Sequence, residues 1–225
     1  MTHIRAVLFD MDGVLFDSMP YHARCWAEVC RAEGLDLTAE EAYLHEGRTA
    51  KGTIDLLARR CWGRDATNEE VQRIYDAKQR LFNALPEAPR MDGADEALRV
   101  VRQAGMLVTL VTGSGQQSLL GRLETAYPGC FTPERMVTSD DVTHGKPDPE
   151  PYLKGLAKTG VSASEAIVVE NAPLGVEAAV RAGIYTVAVN TGPLPESALR
   201  EAGASVVLPS MRAFAAAFPE IVANL

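Results

Sequence analysis

Asp10 and Asp12 are the residues best placed to do chemistry, because they stand one position apart between an apolar run and a glycine in AVLFDMDGVL, residues 6–15. A short apolar run that ends at a turn is typical of a buried strand in a parallel sheet. Carboxylates two positions apart on an extended chain point the same way, and ligands of open α/β sheets bind at the carboxyl ends of strands. Two like charges held together repel, so the pair predicts a site for a divalent metal ion and a phosphate group.

Other interpretations of the pair stay open at this point. Asp and Gly favour ordinary turns, and DxDG resembles part of a calcium loop. The rest of the chain is needed to choose among them.

A second apolar run, residues 106–111, leads into Thr112, Gly113 and Ser114. The threonine offers a hydroxyl group, and the glycine offers backbone NH groups that no side chain obstructs. Small residues of this kind at a strand end allow a phosphate group to approach closely. The alternative is a plain turn followed by a helix N-cap, and Ser114 could serve both purposes.

A third apolar run, residues 166–169, ends in Glu170 and Asn171, and the loop THGKPDP at residues 143–149 carries one lysine, Lys146. Lysine is a compact point charge that suits a phosphoryl group in transfer. An isolated surface lysine is the alternative.

The order DxDG, TGS, GKPDP and EN resembles that of the haloacid dehalogenase-like hydrolases, and the resemblance covers nearly the whole chain. Within that superfamily the chain is similar to the β-phosphoglucomutase-like group. It is also similar to a bacterial branch, typified by Bacteroides proteins, whose members include an inorganic pyrophosphatase. The segments that carry the narrower likeness are Tyr21, His22, Trp26 and residues 45–49, 111–116 and 170–176.

The resemblance implies a mobile helical cap and Mg²⁺-dependent phosphoryl transfer through an aspartyl-phosphate. In this scheme Asp10 is the nucleophile, and Asp12 is first the general acid and then the base. We expect the neighbouring negative charge and partial burial to raise the pKa of Asp12. Thr112 and Lys146 complete the implied catalytic set.

Mg²⁺ prefers oxygen ligands, and the resemblance implies a carboxylate oxygen of Asp10 and the backbone carbonyl of Asp12 as two of them. The family usually supplies a further aspartate where this chain has Asn171, whose amide oxygen brings no charge. Glu170 or Glu46 could supply the missing carboxylate. Glu46 lies in the predicted cap and would reach the metal ion only when the cap closes; the alternative is a solvated glutamate at a helix end.

The mutases of this group hold a sugar phosphate at both ends, with a lysine and an asparagine just after the serine of the second motif. This chain has Gly115 and Gln116 there, so we expect that second grip to be missing. His22 resembles a histidine that assists the mutase cycle, although packing near Trp26 is an equal alternative. The residues expected to contact substrate are Gly113, Ser114, His22, Arg48, Lys51 and Lys78.

Hydrolysis of a small phosphate compound is the predicted function, with inorganic pyrophosphate as the first substrate and a small phosphomonoester as the second. A β-phosphoglucomutase-like phosphohexomutase or a sugar-phosphate phosphatase is an alternative. A non-catalytic phosphate-binding module is a further alternative. Such a module would be expected to lack an aspartate or the lysine, and this chain has Asp10, Asp12 and Lys146.

Composition argues against several classes of partner. The net charge of −8 over 225 residues disfavours nucleic acid and acidic membranes, and no apolar stretch approaches the ~20 residues of a spanning helix. The chain enters its first strand directly, so we expect no secretory signal. Its four cysteines show no CxxC spacing, which argues against zinc and predicts reduced thiols in a cytoplasmic protein. Monomer and homo-oligomer both stay open.

Residues 20–85 carry helical patterns, and from about residue 93 helix and strand alternate as in βαβ units. We predict an α/β protein: a Rossmann-like three-layer core with a parallel sheet (1–16 and 90–225) and a small α-helical cap inserted after strand 1 (17–89). Capping boxes are expected at Thr38 and Thr67, and Asp148 is the expected N-cap of helix 149–159. The predicted helices are 20–33, 38–46, 51–61, 67–84, 93–104, 115–126, 149–159, 173–182 and one within 211–225, and the later strands are 106–112, 135–138, 165–170 and 184–190.

Overall fold

A six-stranded parallel sheet forms the centre of the protein in a computed structural model that describes residues 3–225. The strand order is β3-β2-β1-β4-β5-β6. Residues 1 and 2 of the predicted core range lie outside the described residues. The strands are β1 (Ala6–Phe9), β2 (Leu107–Val111), β3 (Met136–Val137), β4 (Ala166–Glu170), β5 (Tyr185–Val189) and β6 (Val206–Leu208).

Helices follow each of the six strands and complete the α/β architecture, so the predicted fold class is confirmed. Short 3-10 turns lie at Pro133–Arg135, Ser139–Asp141 and Ala163–Glu165. The helices are α1 (Met19–Ala32), α2 (Ala39–Leu44), α3 (Ala50–Trp62), α4 (Asn68–Ala84), α5 (Ala94–Gln103), α6 (Gln117–Leu120), α7 (Leu123–Ala126), α8 (Glu150–Thr159), α9 (Pro173–Arg181), α10 (Glu196–Glu201) and α11 (Met211–Ala223).

Both faces of β1 are buried, which explains why the strand is a continuous apolar run. Phe9 belongs to the apolar cluster on the face covered by α5 and α11, where it packs edge-on against Phe214. Leu8 belongs to the cluster on the other face, with Tyr152 of α8. Full burial of each such side chain contributes about 1.5–3 kcal/mol, so the three layers are held together through the sheet.

The helices α1 to α4, which we call the helical insert, pack around an apolar cluster of their own that includes Leu35, Leu57 and Ile74. The capping box at Thr67 is present: its side chain accepts from Glu70 N, and the Glu70 carboxylate accepts from Thr67 N.

Thr38 forms half of its expected capping box, because its side chain accepts from Glu41 N. The Glu41 carboxylate accepts instead from the guanidinium of Arg60 on α3. An ion pair within the insert has replaced the second half of the local cap.

The structure shows that several predicted helix and strand boundaries are wrong. The single helix expected over 115–126 is two short helices, α6 and α7, which break at Gly121 and Arg122. Pro149 rather than Asp148 stands at the N-cap of α8, although the Asp148 side chain accepts from Glu150 N. Helix α10 and strand β6 were not predicted; β6 is a half-buried edge strand of three residues, too short for a clear apolar pattern.

Strand register brings the ends of the three central strands together. Phe9 pairs with Leu110 of β2 on one side and with Val169 of β4 on the other. The strand order also reverses at β1, and in open α/β sheets ligands bind at such a switch point. The residues that follow these strands therefore form the natural place for a site.

Among residues 3–225, no helix combines the length and apolar character that crossing a membrane requires.

Candidate active site

Asp10 and Asp12 lie directly after β1 and line one cavity between the sheet edge and the helical insert. Asp10 N donates to Val169 O, which continues the pairing with β4. The turn then needs Gly13, whose φ is 77°. A Cβ there would lie 2.0 Å from Nδ2 of Asn171, so the glycine also allows the end of β4 to approach the turn.

Lys146 reaches the aspartates from the loop before α8. Its ammonium donates to Asp10 Oδ1 at 2.6 Å, to Glu170 Oε1 at 2.6 Å and to the Val111 carbonyl at 3.1 Å. The Lys146 side chain is completely buried. The interpretation of Lys146 as an isolated surface lysine is therefore wrong.

Glu170 is held by contacts on both of its oxygens. Oε1 accepts from Lys146 and from the hydroxyl of Tyr152 at 2.7 Å, and Oε2 accepts from the backbone NH groups of Asn171 and Ala172. This arrangement orients Lys146 toward Asp10. It places Glu170 behind the lysine rather than in the cavity, which argues against the alternative that Glu170 supplies the missing carboxylate.

The electrostatics around Asp10 are dominated by burial. Burial raises the pKa of Asp10 to about 8, and the charges of Glu170 and Asp12 add to this, while Lys146 opposes it. Burial lowers the pKa of Lys146, but the carboxylates of Asp10 and Glu170 outweigh it, so the pKa lies above its ordinary value. The centre thus gathers more carboxylates than its single ammonium can neutralise.

Asp12 is held by hydrogen bonds that start in the helical insert. Its Oδ1 accepts from Ser18 Oγ at 2.5 Å and lies 3.0 Å from His22 Nε2. On the other side of the ring, His22 Nδ1 lies 2.7 Å from Lys78 Nζ. An ammonium can only donate, so His22 Nδ1 accepts and its proton is on Nε2, where it donates to Asp12.

The expectation of a raised pKa for Asp12 is wrong. Burial raises the pKa of Asp12, but His22, Ser18 and the charge of Lys78 lower it by more, so the pKa lies below its ordinary value. The donors around Asp12 carry no sequence signal for these contacts, and together they outweigh burial. Burial and Lys78 together lower the pKa of His22, which keeps the ring neutral.

Glu46 reaches the sheet edge from the loop between α2 and α3. Asn171 Nδ2 donates to Glu46 Oε1 at 2.9 Å, and Glu46 is only 8% exposed, so it is not a solvated glutamate at a helix end. Burial and the nearby charge of Asp10 raise its pKa well above the ordinary value. The other side-chain atom of Asn171, Oδ1, is buried without a hydrogen-bond partner.

The loop that carries Glu46 lies directly on the sheet edge. Gly47 has a φ of 89°, and a Cβ there would lie 2.9 Å from Cδ of Lys146. A Cβ on Gly113 would lie 2.3 Å from the Gly47 carbonyl oxygen. Glycine on both sides therefore permits this close approach of insert and sheet.

Thr112, Gly113 and Ser114 line the same cavity. Thr112 Oγ1 accepts from Ser114 N at 3.0 Å, and Ser114 Oγ accepts from Gln116 N at 3.2 Å. Ser114 stands two positions before Gln116, the N-cap of α6, so it lies outside the expected N-cap position. The segment leaves backbone groups beside Asp10 without large side chains.

The remaining candidates divide into those that reach the cavity and one that does not. Arg48 lines the cavity, and its Nε is buried without a hydrogen-bond partner. Lys51 is exposed and pairs with Asp55, so its expected substrate contact is not found. His22 stacks on Phe82 at 4.4 Å rather than on Trp26, and it also lines the cavity.

The cavity is also lined by residues that sequence patterns did not single out, among them Met19, Leu37 and Thr53, and Ser18 and Tyr152 act behind it. It holds about 650 Å³ of space between atoms, including the part open to solvent at its mouth. Ser18 and Tyr152 carry no sequence signal for the polar contacts they make. The lining residues from the insert are Met19, His22, Trp26, Leu37, Ala42, His45, Glu46, Gly47, Arg48, Ala50, Thr53, Tyr75 and Lys78.

The class of protein follows from this geometry: an α/β protein with a buried acidic site and one lysine at the carboxyl edge of its sheet, covered by a helical layer. Residues 7–189 match the family model of the haloacid dehalogenase-like hydrolases. The chain therefore belongs to this family.

Two relatives and one solved structure show which members of this family the chain is similar to. The chain is 32% identical over 191 residues to validoxylamine A 7'-phosphate phosphatase of Streptomyces hygroscopicus subsp. limoneus, covering 83% of this chain and 86% of that protein. It is 32% identical over 207 residues to a phosphorylated carbohydrates phosphatase of Thermotoga maritima, covering 89% and 92%. A Bacteroides vulgatus structure provisionally named a beta-phosphoglucomutase has a TM-score of 0.95 and 50% identity, with coverage of 99% and 90%. The predicted likeness to the β-phosphoglucomutase-like group is confirmed.

Proposed function

We propose that this protein is a Mg²⁺-dependent phosphatase that hydrolyses a small phosphorylated compound through an aspartyl-phosphate on Asp10. The observation that carries the proposal is the distance of 2.6 Å between Lys146 Nζ and Asp10 Oδ1, with both groups buried at the sheet edge. A fixed ammonium beside the carboxylate offsets the charge of a phosphoryl group in transfer. In this proposal residues 17–89 are the cap, and residues 1–16 and 90–225 are the core.

The chemistry takes two steps. A carboxylate oxygen of Asp10 attacks phosphorus, the bond from phosphorus to the leaving oxygen breaks, and Asp12 gives that oxygen a proton. Asp12 then takes a proton from a water molecule that attacks the same phosphorus, and the bond to Asp10 breaks. Thr112 and Lys146 contact the phosphoryl oxygens throughout.

Asp12 must gain a proton before the first step. Its pKa lies below the ordinary value, so Asp12 is ionised before substrate binds. An anionic substrate raises the pKa of a neighbouring carboxyl group, so substrate binding favours the proton that the first step needs. Oδ1 of Asp12 is held by Ser18 and His22, which leaves Oδ2 for proton transfer.

The residues at the sheet edge fit Mg²⁺. Asn171 Oδ1 is buried without a hydrogen-bond partner, and Asp10 and Glu46 crowd negative charge beside it. Within residues 3–225 no three His, Cys, Asp or Glu side chains form a ready cluster, so the ligand set needs the amide and the Asp12 backbone carbonyl as well. Bound there, Mg²⁺ would offset charge between the nucleophile and the phosphate.

Gly115 favours hydrolysis over mutase chemistry. A Cβ at this position would lie 2.7 Å from Ser139 Oγ and 3.2 Å from the Tyr75 hydroxyl. The lysine that mutases of the resembled group carry here is absent, and a side chain at this position would have to displace the ends of the Ser139 and Tyr75 side chains. The relatives named above as phosphatases support the same choice.

The substrate class supported by these relatives is a phosphorylated carbohydrate. Inorganic pyrophosphate is the second candidate, because Lys78 and Arg48 give the cavity two cationic groups beyond Lys146. These groups would face the second phosphate of pyrophosphate or the hydroxyl groups of a sugar phosphate.

A phosphate-release assay tests the proposal with hexose phosphates, hexitol phosphates, pyrophosphate and nucleotides, each with Mg²⁺ and with EDTA. We expect Mg²⁺-dependent release that is lost in Asp10→Asn. Conversion of β-glucose 1-phosphate to glucose 6-phosphate faster than phosphate is released from any substrate would overturn it in favour of a mutase. Absence of release from the whole panel would favour a binding module.

A further inference from the structure

Gln116 connects the core to the helical insert through a buried side chain. It is 1% exposed, and it precedes α6 at the sheet edge. Its Oε1 accepts from Lys78 Nζ at 3.2 Å. Its Nε2 donates to Asn83 Oδ1 at 2.9 Å and to Ser118 Oγ at 3.2 Å. Both ends of the amide are therefore used, and two of the three partners lie on α4 of the insert.

Lys78 has two polar partners, His22 Nδ1 and Gln116 Oε1. The rest of its surroundings is aromatic, with Nζ lying 5.0 Å from the ring centre of Phe82 and 5.8 Å from that of Trp26. A buried ammonium needs hydrogen-bond acceptors. Gln116 supplies the acceptor that comes from the core, whereas His22 and both rings belong to the insert.

A single line of donors and acceptors runs from Gln116 to the proposed acid–base residue. Gln116 Oε1 accepts from Lys78, Lys78 donates to His22 Nδ1, and His22 Nε2 donates to Asp12 Oδ1. Each link determines the direction of the next, because the ammonium is only a donor and the neutral ring has one donor and one acceptor.

We infer that Gln116 is a positioning residue that aligns Lys78 on His22, and thereby orients Asp12, when the insert lies on the core. It does not touch the reacting atoms. The inference rests on the proposed function in one respect, that Asp12 transfers protons. It explains why both ends of the buried Gln116 amide bind side chains of the insert and the core.

Two substitutions at Gln116 separate this role from general packing. Gln116→Met keeps the length of the side chain and removes every hydrogen bond. Gln116→Glu keeps an acceptor for Lys78, and Asn83 can turn its own amide to donate to the second oxygen. We expect Gln116→Met to lower kcat about tenfold or more, the size expected for losing a hydrogen bond to a charged group, with a smaller effect on KM. Gln116→Glu should restore kcat to within about threefold of the wild type.

Matched controls remove the other contacts alone. Asn83 is an exposed residue of α4. Asn83→Ala removes the hydrogen bond from Gln116 Nε2 and leaves the contact between Gln116 and Lys78. Gln117→Met places the same change on the neighbouring exposed residue. Both should retain wild-type kcat. A Gln116→Met enzyme with wild-type kcat, or a folded Gln116→Glu enzyme as impaired as Gln116→Met, would overturn the inference.

A measurement on the folded protein keeps the inference independent of activity. The ¹⁵N shifts of His22 report which ring nitrogen carries the proton. We expect the Nε2–H form in the wild type and a mixture of the two forms in Gln116→Met. Unchanged shifts would overturn the inference even if the enzyme is a phosphatase. A wild type without phosphatase activity whose shifts still respond to Gln116→Met would overturn the proposed function alone.

Discussion

The side-chain amide nitrogen of Asn171 lies 2.9 Å from Oε1 of Glu46 and joins the end of β4 to the loop of the helical insert. An aspartate at position 171 would instead place two carboxylates against each other in a buried site. Asparagine can donate to Glu46 with its nitrogen and still turn its free oxygen, Oδ1, toward a cation. With asparagine at position 171 and glutamate at position 46, the second carboxylate of the site comes from the insert and not from the end of β4.

Glu46→Gln tests whether that carboxylate supports the metal ion. The variant keeps an oxygen that can accept from Asn171 and removes one negative charge. We expect the Mg²⁺ concentration for half-maximal activity to rise about tenfold or more, measured by titrating Mg²⁺ at saturating substrate. Glu40→Gln, at an exposed position of α2, is the matched control. An unchanged Mg²⁺ requirement and turnover in Glu46→Gln would contradict this role.

Lys146→Met tests the buried ion pairs. The change leaves Asp10 and Glu170 without their shared ammonium, and removing one partner of a buried pair costs about 3–5 kcal/mol. We expect that loss in the free energy of unfolding in urea with EDTA present, together with loss of activity. Lys154→Met, which removes a half-buried ion pair with Glu150 and a hydrogen bond to the Asp141 carbonyl, should cost about 2 kcal/mol or less. Equal effects of the two substitutions would argue against a central place for Lys146.

Gly113→Ala tests the close contact between insert and sheet edge. The added Cβ would lie 2.3 Å from the Gly47 carbonyl oxygen, so the loop that carries Glu46 must move away. Because the insert has its own apolar cluster, we expect the protein to stay folded while kcat/KM falls about tenfold or more. Gly192→Ala is the control, since its Cβ would make only an ordinary contact of 3.6 Å with Tyr43. Activity of Gly113→Ala equal to that of the control would show that the loop need not lie where the structure has it.

The lowered pKa of Lys78 predicts that the free energy of unfolding depends on pH. Burial lowers its pKa from 10.5 to about 8, so between these values the unfolded chain binds more protons than the folded protein, and stability rises with pH. The wild type should therefore gain about 3 kcal/mol relative to Lys78→Met between pH 7 and pH 10.5. Urea unfolding of both proteins across this range measures the gain. Parallel curves would contradict it, and the exposed Lys51→Met controls for loss of a lysine.

The sheet and most helices were predictable because their signals are local. Apolar runs mark β1, β2 and β4, and the caps at Thr38 and Thr67 mark helix starts within a few residues. The edge strand β6 escaped because a half-buried segment of three residues carries too little pattern.

The polar contacts of the site were predictable only where both residues belong to a recognisable sequence motif. Asp10 and Lys146 stand 136 positions apart, and their contact was expected from the order of motifs. The contacts of Lys78 with His22 and Gln116 span 56 and 38 positions with no such motif. The lowered pKa of Asp12 depends on His22, Ser18 and the charge of Lys78, and none of these contacts carried a motif, which is why the sequence predicted the wrong direction.

The most direct test of the account is to trap the phosphorylated protein. Wild-type enzyme is mixed with a ³²P-labelled substrate that supports turnover and quenched in acid within one turnover. If Asp10 is the nucleophile, the label binds to the protein and maps to the peptide that contains Asp10. Hydroxylamine releases this label, and Asp10→Asn does not acquire it. Substrate turnover without label on that peptide, or turnover that persists in Asp10→Asn, would contradict it.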